Sequence, residues 1–204
     1  VMNPTALKAA QRAGYPREKI IGVWWAGAEE DVIPAGDAAK GYIAAGFNVS
    51  GTNYPVIRDI QKHLYAKGLG EMEDKSRVGS IYYNRGVVFS IITSEAVRKA
   101  QSRFGKGHPM TGEQVRWGLE NLTIDDAYLK KLGAAGFMHP LKMSCADHEG
   151  GGQVKFQQWD GKQWKVITDW ISSDQKLVRP MIEASAAKYA KEKGITLRDC
   201  SKEK

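Results

Sequence analysis

An α/β fold built around a parallel sheet is predicted from three features of the chain. Two apolar runs, Ile20–Trp25 and Tyr42–Val49, are short and glycine-bounded. Both are too brief for buried helices, so each reads as a core strand covered on both faces. Between them lie an Ala-Gly-Ala break, the acidic triplet Glu29, Glu30 and Asp31, and a Pro34-containing segment ending at Gly36. That length suits a crossover on the sheet face and not a hairpin turn. Helical and strand-like segments then alternate as far as Gly68, the signature of an α/β layer. Ligands of open parallel sheets sit beyond the carboxyl ends of the strands, and Trp25-Ala26-Gly27 stands at such an end. Strand alternation lets only one of Trp24 and Trp25 face a given side, so one is expected in the core and one near the crevice.

Taken in order, Asn3-Pro4 is a helix start, with Asn as cap and Pro pre-shaped for the first helical position. Leu7 and Ala10, with Ala6, form its apolar face, and Gly14 ends it. After the second strand and a Gly51-Thr52-Asn53 turn, Pro55–Ala66 carries Val56, Ile57, Ile60 and Leu64 at helical spacing and stops at Gly68. Glu71–Arg77 is a charged connector. The long apolar-rich stretch Ile81–Phe104 brings Tyr82, Val88, Ile92 and Val97 together on a helical wheel. A helix over Glu113–Leu122, capped by Thr111, and another over Asp125–Leu132 follow. Three helices with no strand between them do not continue a doubly wound sheet and suggest a visit to a different lobe.

Phe137–Leu141 can bridge or form an edge strand, since Pro140 lacks the ladder donor. Gly150-Gly151-Gly152 is a flexible break. Gln153–Trp159 and Lys162–Ile171 alternate apolar with polar around Asp160-Gly161, a hairpin signal. The last helix, Pro180–Lys193, puts Met181, Ile182 and Ala186 with Tyr189 on one side and ends at Gly194.

Length and composition set wider bounds. At 204 residues the chain suits one large domain or two small lobes. Its 42% hydrophobic and 26% charged content is that of an ordinary globular protein. The net charge of +7 is spread along the chain, which argues for general basicity and against a nucleic-acid groove. No apolar run approaches the ~20 residues that span a bilayer. The opening Val-Met-Asn-Pro fits a mature protein or a fragment of something longer.

Phosphate-binding glycine loops and a G-x-S-x-G elbow are absent. Cys145-Ala146-Asp147-His148-Glu149 holds residue types that ligate zinc, but neither C-x-x-C nor H-E-x-x-H is present, so no metal is expected there. Cys145 and Cys200 are better used as a bridge, which ties the tail Ile195–Lys204 to the glycine-rich loop. Such a bridge stabilises by roughly 3–4 kcal/mol in the chain-entropy model and implies an oxidising compartment. The alternative is a pair of buried thiols in a cytosolic protein. His63 and His108 read as surface residues and His139 as a structural one. Tyr82, Tyr83 and Asn84 stand where a helix start facing a crevice would suit a small organic ligand, or simply core packing.

The run Ile21–Gly46, with AGDAAKGY after a strand and crossover, resembles the type I periplasmic solute-binding proteins of ABC transporters. The nearest branch is the leucine/isoleucine/valine-binding type. Ser80–Phe104 is similar to that family's long helix on its return to the first lobe. Thr111–Leu122, with EQVRWGLENL, resembles the helix that follows, and VKFQQWDGKQWKVITDWI resembles the closing strands. The resemblance implies two lobes with parallel sheets flanked by helices. Residues 1–75 and 145–204 would form the second lobe and 80–138 the helical part of the first, with hinge crossings at 71–79 and 137–144. The first half of the N-terminal lobe is then missing, and the present portion alone is expected to bind ligand weakly or not at all.

The resemblance also implies ligand contacts at Asn3, Trp25, Ala26 and Gly27, to which Tyr82 is added by its place at the helix start. Amino-acid binders of this family hold the ligand ammonium with an acidic residue near the second of these positions. Here the matching place reads Trp-Ala-Gly, with Glu29 a little further on, which leaves room for an apolar or aromatic acid. The function implied is the periplasmic substrate-binding component of an ABC importer. It is non-enzymatic and needs no cofactor, binds a small amino acid or an aromatic or apolar carboxylate, and has the permease membrane subunits and no nucleic acid as partners. The alternatives are a ligand-sensing domain of a receptor or regulator of the same fold, and a cytosolic α/β enzyme using the Cys145–Glu149 cluster.

Overall fold

The structure, a computed structural model, describes residues 2–202. Helix α1 (Met2–Arg12) buries Pro4 and Leu7. Asn3 lies inside its first turn rather than before it, because its amide serves a neighbouring segment instead of its own helix. Strand β1 (Ile21–Gly22) is followed by a tight turn at Trp24–Ala26, the short helix α2 (Glu29–Val32) and a 3-10 stretch kinked at Gly36. Strand β2 (Ile43–Gly46) then pairs with β1 in parallel, Ile21 opposite Ile43. The crossover is therefore the predicted one, but both strands are shorter than their apolar runs. The first stops at Gly22 because the rings of Trp24 and Trp25 stack on each other at 3.8 Å, which side-chain alternation along a strand forbids.

Helix α3 (Pro55–His63) ends in a tight turn closed by Gly68, whose φ of 69° is the left-handed conformation glycine adopts without strain. Helix α4 (Ile81–Phe104) has the predicted bounds. Helix α5 (Gly112–Glu120), strand β3 (Thr123–Ile124) and helix α6 (Asp126–Lys131) follow. Strands β4 (Leu141–Lys142), β5 (Gln153–Trp159), β6 (Trp164–Val166) and β7 (Ile171–Ser172) precede helix α7 (Gln175–Lys193). Met138 makes only isolated bridges, to Asn48 and Ala135. Helix α7 starts ahead of the predicted Pro180, since the Asp174 carboxylate caps it by accepting the Lys176 and Leu177 N–H groups. Pro180 is carried inside the helix.

Contacts divide the chain into two compact units. One holds residues 1–94, 124–140 and 154–171, the other 95–123, 141–153 and 172–204. One of these cuts, at 140/141, falls within the stretch 137–144 named from the resemblance, and none falls within 71–79.

The first unit is built on the sheet β1-β2-β5-β6, with β7 also on β5. It is parallel at β1–β2 and antiparallel beyond, with Ile43 opposite Gln158 and Trp159 opposite Trp164. The predicted hairpin turn is held by the Asp160 carboxylate, which accepts the Lys162 and Gln163 N–H groups. Leu7, Val32, Tyr42, Ile81, Trp159 and Trp164 pack with Ala28, Ala35, Ala38, Ala39 and Ala44 into one core cluster. The alanines let the crossover lie close on the sheet.

In the second unit, Thr111 and Gln114 exchange side-chain and backbone hydrogen bonds at the start of α5, the capping box expected of Thr111. Gly118 lets α5 approach α4 closely: a Cβ there would lie 2.1 Å from the Ala96 carbonyl oxygen. Cys145 and Cys200 form a disulfide with their Cα atoms 5.6 Å apart.

Candidate functional site

The start of α4 is anchored from several directions. Glu29 Oε2 accepts the Ile81 N–H at 2.9 Å, and Asn48 Nδ2 donates to the Ile81 carbonyl at 3.0 Å. Asn84 Nδ2 donates to the carbonyls of Val49 and Gly51, at 2.8 and 3.0 Å. Burial raises the Glu29 carboxyl above its ordinary value, against the Ile81 N–H and Arg77, which favour the ionised form. Held in this way, α4 presents Tyr82, Arg85 and Phe89 on one face, as their spacing of three and four residues requires.

Arg85 is the centre of this corner. It is only 8% exposed. Its guanidinium lies over the rings of Trp24, Phe47 and Tyr82, at 5.2, 4.9 and 5.2 Å from their centroids. Nε donates to Asn48 Oδ1 at 3.3 Å and Nη2 to the Trp24 carbonyl at 3.2 Å. Desolvation lowers its pKa, opposed by Tyr82 and Asp31, but a guanidinium keeps its proton in any protein setting. The rings continue outward: Trp24 meets Phe47 edge-on at 5.4 Å, and Phe47 stacks on Phe89 at 6.0 Å. The corner is thus a sheet of aromatic surface with a buried cation behind it.

The residues predicted to touch ligand fall in different places. Trp25 is 66% exposed at the rim of the corner, and Trp24 is half-buried. Neither ring is in the core, which corrects the expected division between core and crevice: stacked rings travel together. Ala26 is half-buried in the turn. Gly27 is buried, its carbonyl accepts from Gln157 Nε2 at 3.2 Å, and a Cβ there would lie 2.9 Å from that of Ala44. Tyr82 is exposed and covers Arg85. Asn3 joins none of the rings; it donates to the Asp31 carbonyl at 3.0 Å and accepts from the Tyr42 hydroxyl at 3.4 Å. That hydroxyl is pushed up to about 12 by burial and by Asp31. Tyr83 turns away to hydrogen-bond Tyr65.

A cavity of about 420 Å³ adjoins the anchor of α4, lined by Glu29, Glu30, Ile33, Pro34, Arg77 and Ser80 among others. An ion pair between Glu30 and Arg77 crosses its wall. In the other unit, the Cys145–Glu149 cluster is engaged structurally. Cys145 is in the disulfide, Asp147 pairs with Arg179 at 3.1 Å, and His148 Nε2 meets Glu120 Oε1 at 3.1 Å. Among the described residues no group of three or more His, Cys, Asp or Glu side chains could hold a metal ion, and no helix is long and apolar enough to cross a membrane.

Comparison with known proteins adds the following. The sequence profile of the family described as periplasmic binding protein matches residues 1–163. A structure described as an ABC transporter permease from the Pseudomonas fluorescens group superposes with a TM-score of 0.93 at 46% identity, over 98% of this chain and 48% of that one. A branched chain amino acid ABC transporter from Thermus thermophilus with bound valine gives 0.64 at 23% identity, over 85% and 44%. A solute binding protein of an ABC transporter from Rhodopseudomonas palustris HaA2, in complex with p-hydroxybenzoic acid, gives 0.54 at 12% identity, over 86% and 43%. At the last two identities the likeness is one of fold. The chain spans about half the length of the structures it matches. A comparison with curated proteins gives no match.

Proposed function

The chain belongs to the periplasmic binding protein family, and from that premise we propose that it serves in the periplasm as the substrate-binding component of an ABC importer. Its ligand in this reading is a small amino acid or an aromatic or apolar carboxylate, and its partners are the permease subunits in the membrane. The ligand-bound neighbours span the same range, one holding valine and another p-hydroxybenzoic acid.

One observation carries the reading. At the carboxyl end of β1, where open α/β sheets take their ligands, Trp25 stands exposed on Trp24 beside Tyr82 and the buried Arg85. Trp25, Ala26 and Gly27 supply the wall after the strand, Tyr82 supplies the start of the facing helix, and Asn3 fixes the crossover through the Asp31 carbonyl. Ligand contacts favour the closed state of the whole protein, and the permease recognises that state. No chemistry is asked of the Cys145–Glu149 cluster, in which Cys145 is in the disulfide and Asp147 and His148 are paired with Arg179 and Glu120.

Calorimetric titration of the full-length gene product with L-valine, L-leucine and benzoate tests the proposal. Saturable one-site binding of at least one of them is expected, weakened at least about tenfold by Trp25→Ala, a loss near 1.4 kcal/mol. Failure of all three to bind would remove the importer reading.

A further inference from the structure

We infer that Arg85 is the specificity-determining residue of this corner, and that it selects a ring-bearing carboxylate, an anion with no ammonium group, as the ligand. This rests on the importer reading and narrows it.

The argument begins with charge. A buried guanidinium cannot shed its proton, and buried charges are ordinarily matched by a counter-charge. Arg85 has none in contact: Asp31 acts on it only at a distance, and among the described residues its polar contacts are the Asn48 amide oxygen and the Trp24 carbonyl. The rings of Trp24, Phe47 and Tyr82 offset part of the desolvation through their negative faces. They do not supply an anion. Nη1 makes no hydrogen bond to a described residue, so one arm of the fork is left to donate to an anion.

Shape gives the second half. Trp25, Tyr82 and Phe89 are exposed on the same corner, so an aromatic or flat apolar body meets ring faces while its carboxylate reaches for Arg85. The acids argue against an ammonium. Glu29 and Asp31 are the carboxylates whose charge is felt by Tyr82. Glu29 is engaged with the Ile81 N–H and Asp31 Oδ2 with the Ala28 N–H. A zwitterion would bring a positive group to a corner that already holds an unmatched one.

The test is calorimetric titration of the full-length gene product with benzoate, with benzamide, which keeps the ring and lacks the charge, and with L-leucine. Benzoate is expected to bind at least about tenfold more tightly than either of the others. Arg85→Met should abolish the preference for benzoate over benzamide, and Arg85→Lys should retain part of it, because a point charge replaces the fork. Equal affinity for benzoate and benzamide in the unaltered protein overturns the inference without recourse to any variant. So does a preference that survives in Arg85→Met. Binding of L-leucine in place of benzoate overturns the inference and leaves the importer reading standing, whereas binding of none of the three, nor of L-valine, removes both.

Discussion

Glu120 and Arg85 are sealed from solvent to the same degree, 8% exposed each, yet the two units of the fold treat them in opposite ways. Glu120 receives Arg198 on both carboxylate oxygens, Arg116 Nη1 at 3.1 Å and His148 Nε2 at 3.1 Å. Arg85 receives an amide oxygen, a carbonyl and three ring faces. A carboxylate surrounded by matched donors is a fastening, since every group that could be left wanting has its partner. A cation left without its counter-charge costs the fold stability and is of use only when something arrives to meet it. The same burial therefore marks a clasp in one unit and, on the reading proposed above, a receptor corner in the other.

The contrast can be broken at four points, from the largest effect down. Replacing Cys145 and Cys200 by Ser releases a bridge spanning a sequence separation of 55 residues, and with it the segment that delivers Arg198 to Glu120. A loss of about 4 kcal/mol follows from the chain-entropy account, read as a lower urea midpoint. Glu120→Ala removes the acceptor that Arg198, Arg116 and His148 share and should cost about 2–3 kcal/mol, below the figure for a fully buried pair because Arg116 and His148 reach solvent. Ligand affinity should not change. Arg85→Met is expected within about 1 kcal/mol of the parent protein, since relief from an unmatched buried charge balances the lost ring and hydrogen-bond contacts. A cost equal to that of Glu120→Ala would make Arg85 a clasp as well, and the contrast would collapse.

The smallest effect is one of pH. The folded-state pKa of Glu29 is raised, chiefly by desolvation, so its contribution is fully present below the ordinary value of 4.5 and is lost as pH rises through the folded pKa. Glu29→Gln keeps an acceptor for the Ile81 N–H without the charge. The variant should match the parent below pH 4.5 and exceed it in stability at neutral pH, as thermal melts across that range would record.

Much of this was legible in the residues. The span of α4, the Thr111 cap, the crossover between β1 and β2, the Asp160-Gly161 turn and the pairing of Cys145 with Cys200 all follow from local signals: periodicity, a capping oxygen, a turn dipeptide, cysteine arithmetic. The corner around Arg85 was half visible. Trp25 and Tyr82 stood out, but alternation put one tryptophan inside, since a strand rule knows nothing of rings that prefer each other. The roles of Arg85, Phe47, Asn48 and Phe89 arise from contacts between the end of β2 and α4, far apart in the chain. One signal was available: Tyr82, Arg85 and Phe89 recur at helical spacing, a charged residue between two aromatics on one face. Glu120 has only its i,i+4 spacing from Arg116 to mark it, as His148 and Arg198 come from distant segments. Asn3 is a candidate only through the family resemblance, and its bonds to Asp31 and Tyr42 lie outside anything its immediate neighbours announce.

The paired indoles of Trp24 and Trp25, 3.8 Å apart and inclined by 27°, have an optical consequence. Chromophores that close couple their transitions, giving the far-ultraviolet circular dichroism spectrum a split band whose sign follows the handedness of the pair. Because a guanidinium and the wall of the corner both bear on that pair, any occupant that tilts one ring against the other rewrites the band. On the reading proposed above, the pair is thus an unlabelled gauge of occupancy, readable in dilute solution and lost on Trp24→Phe.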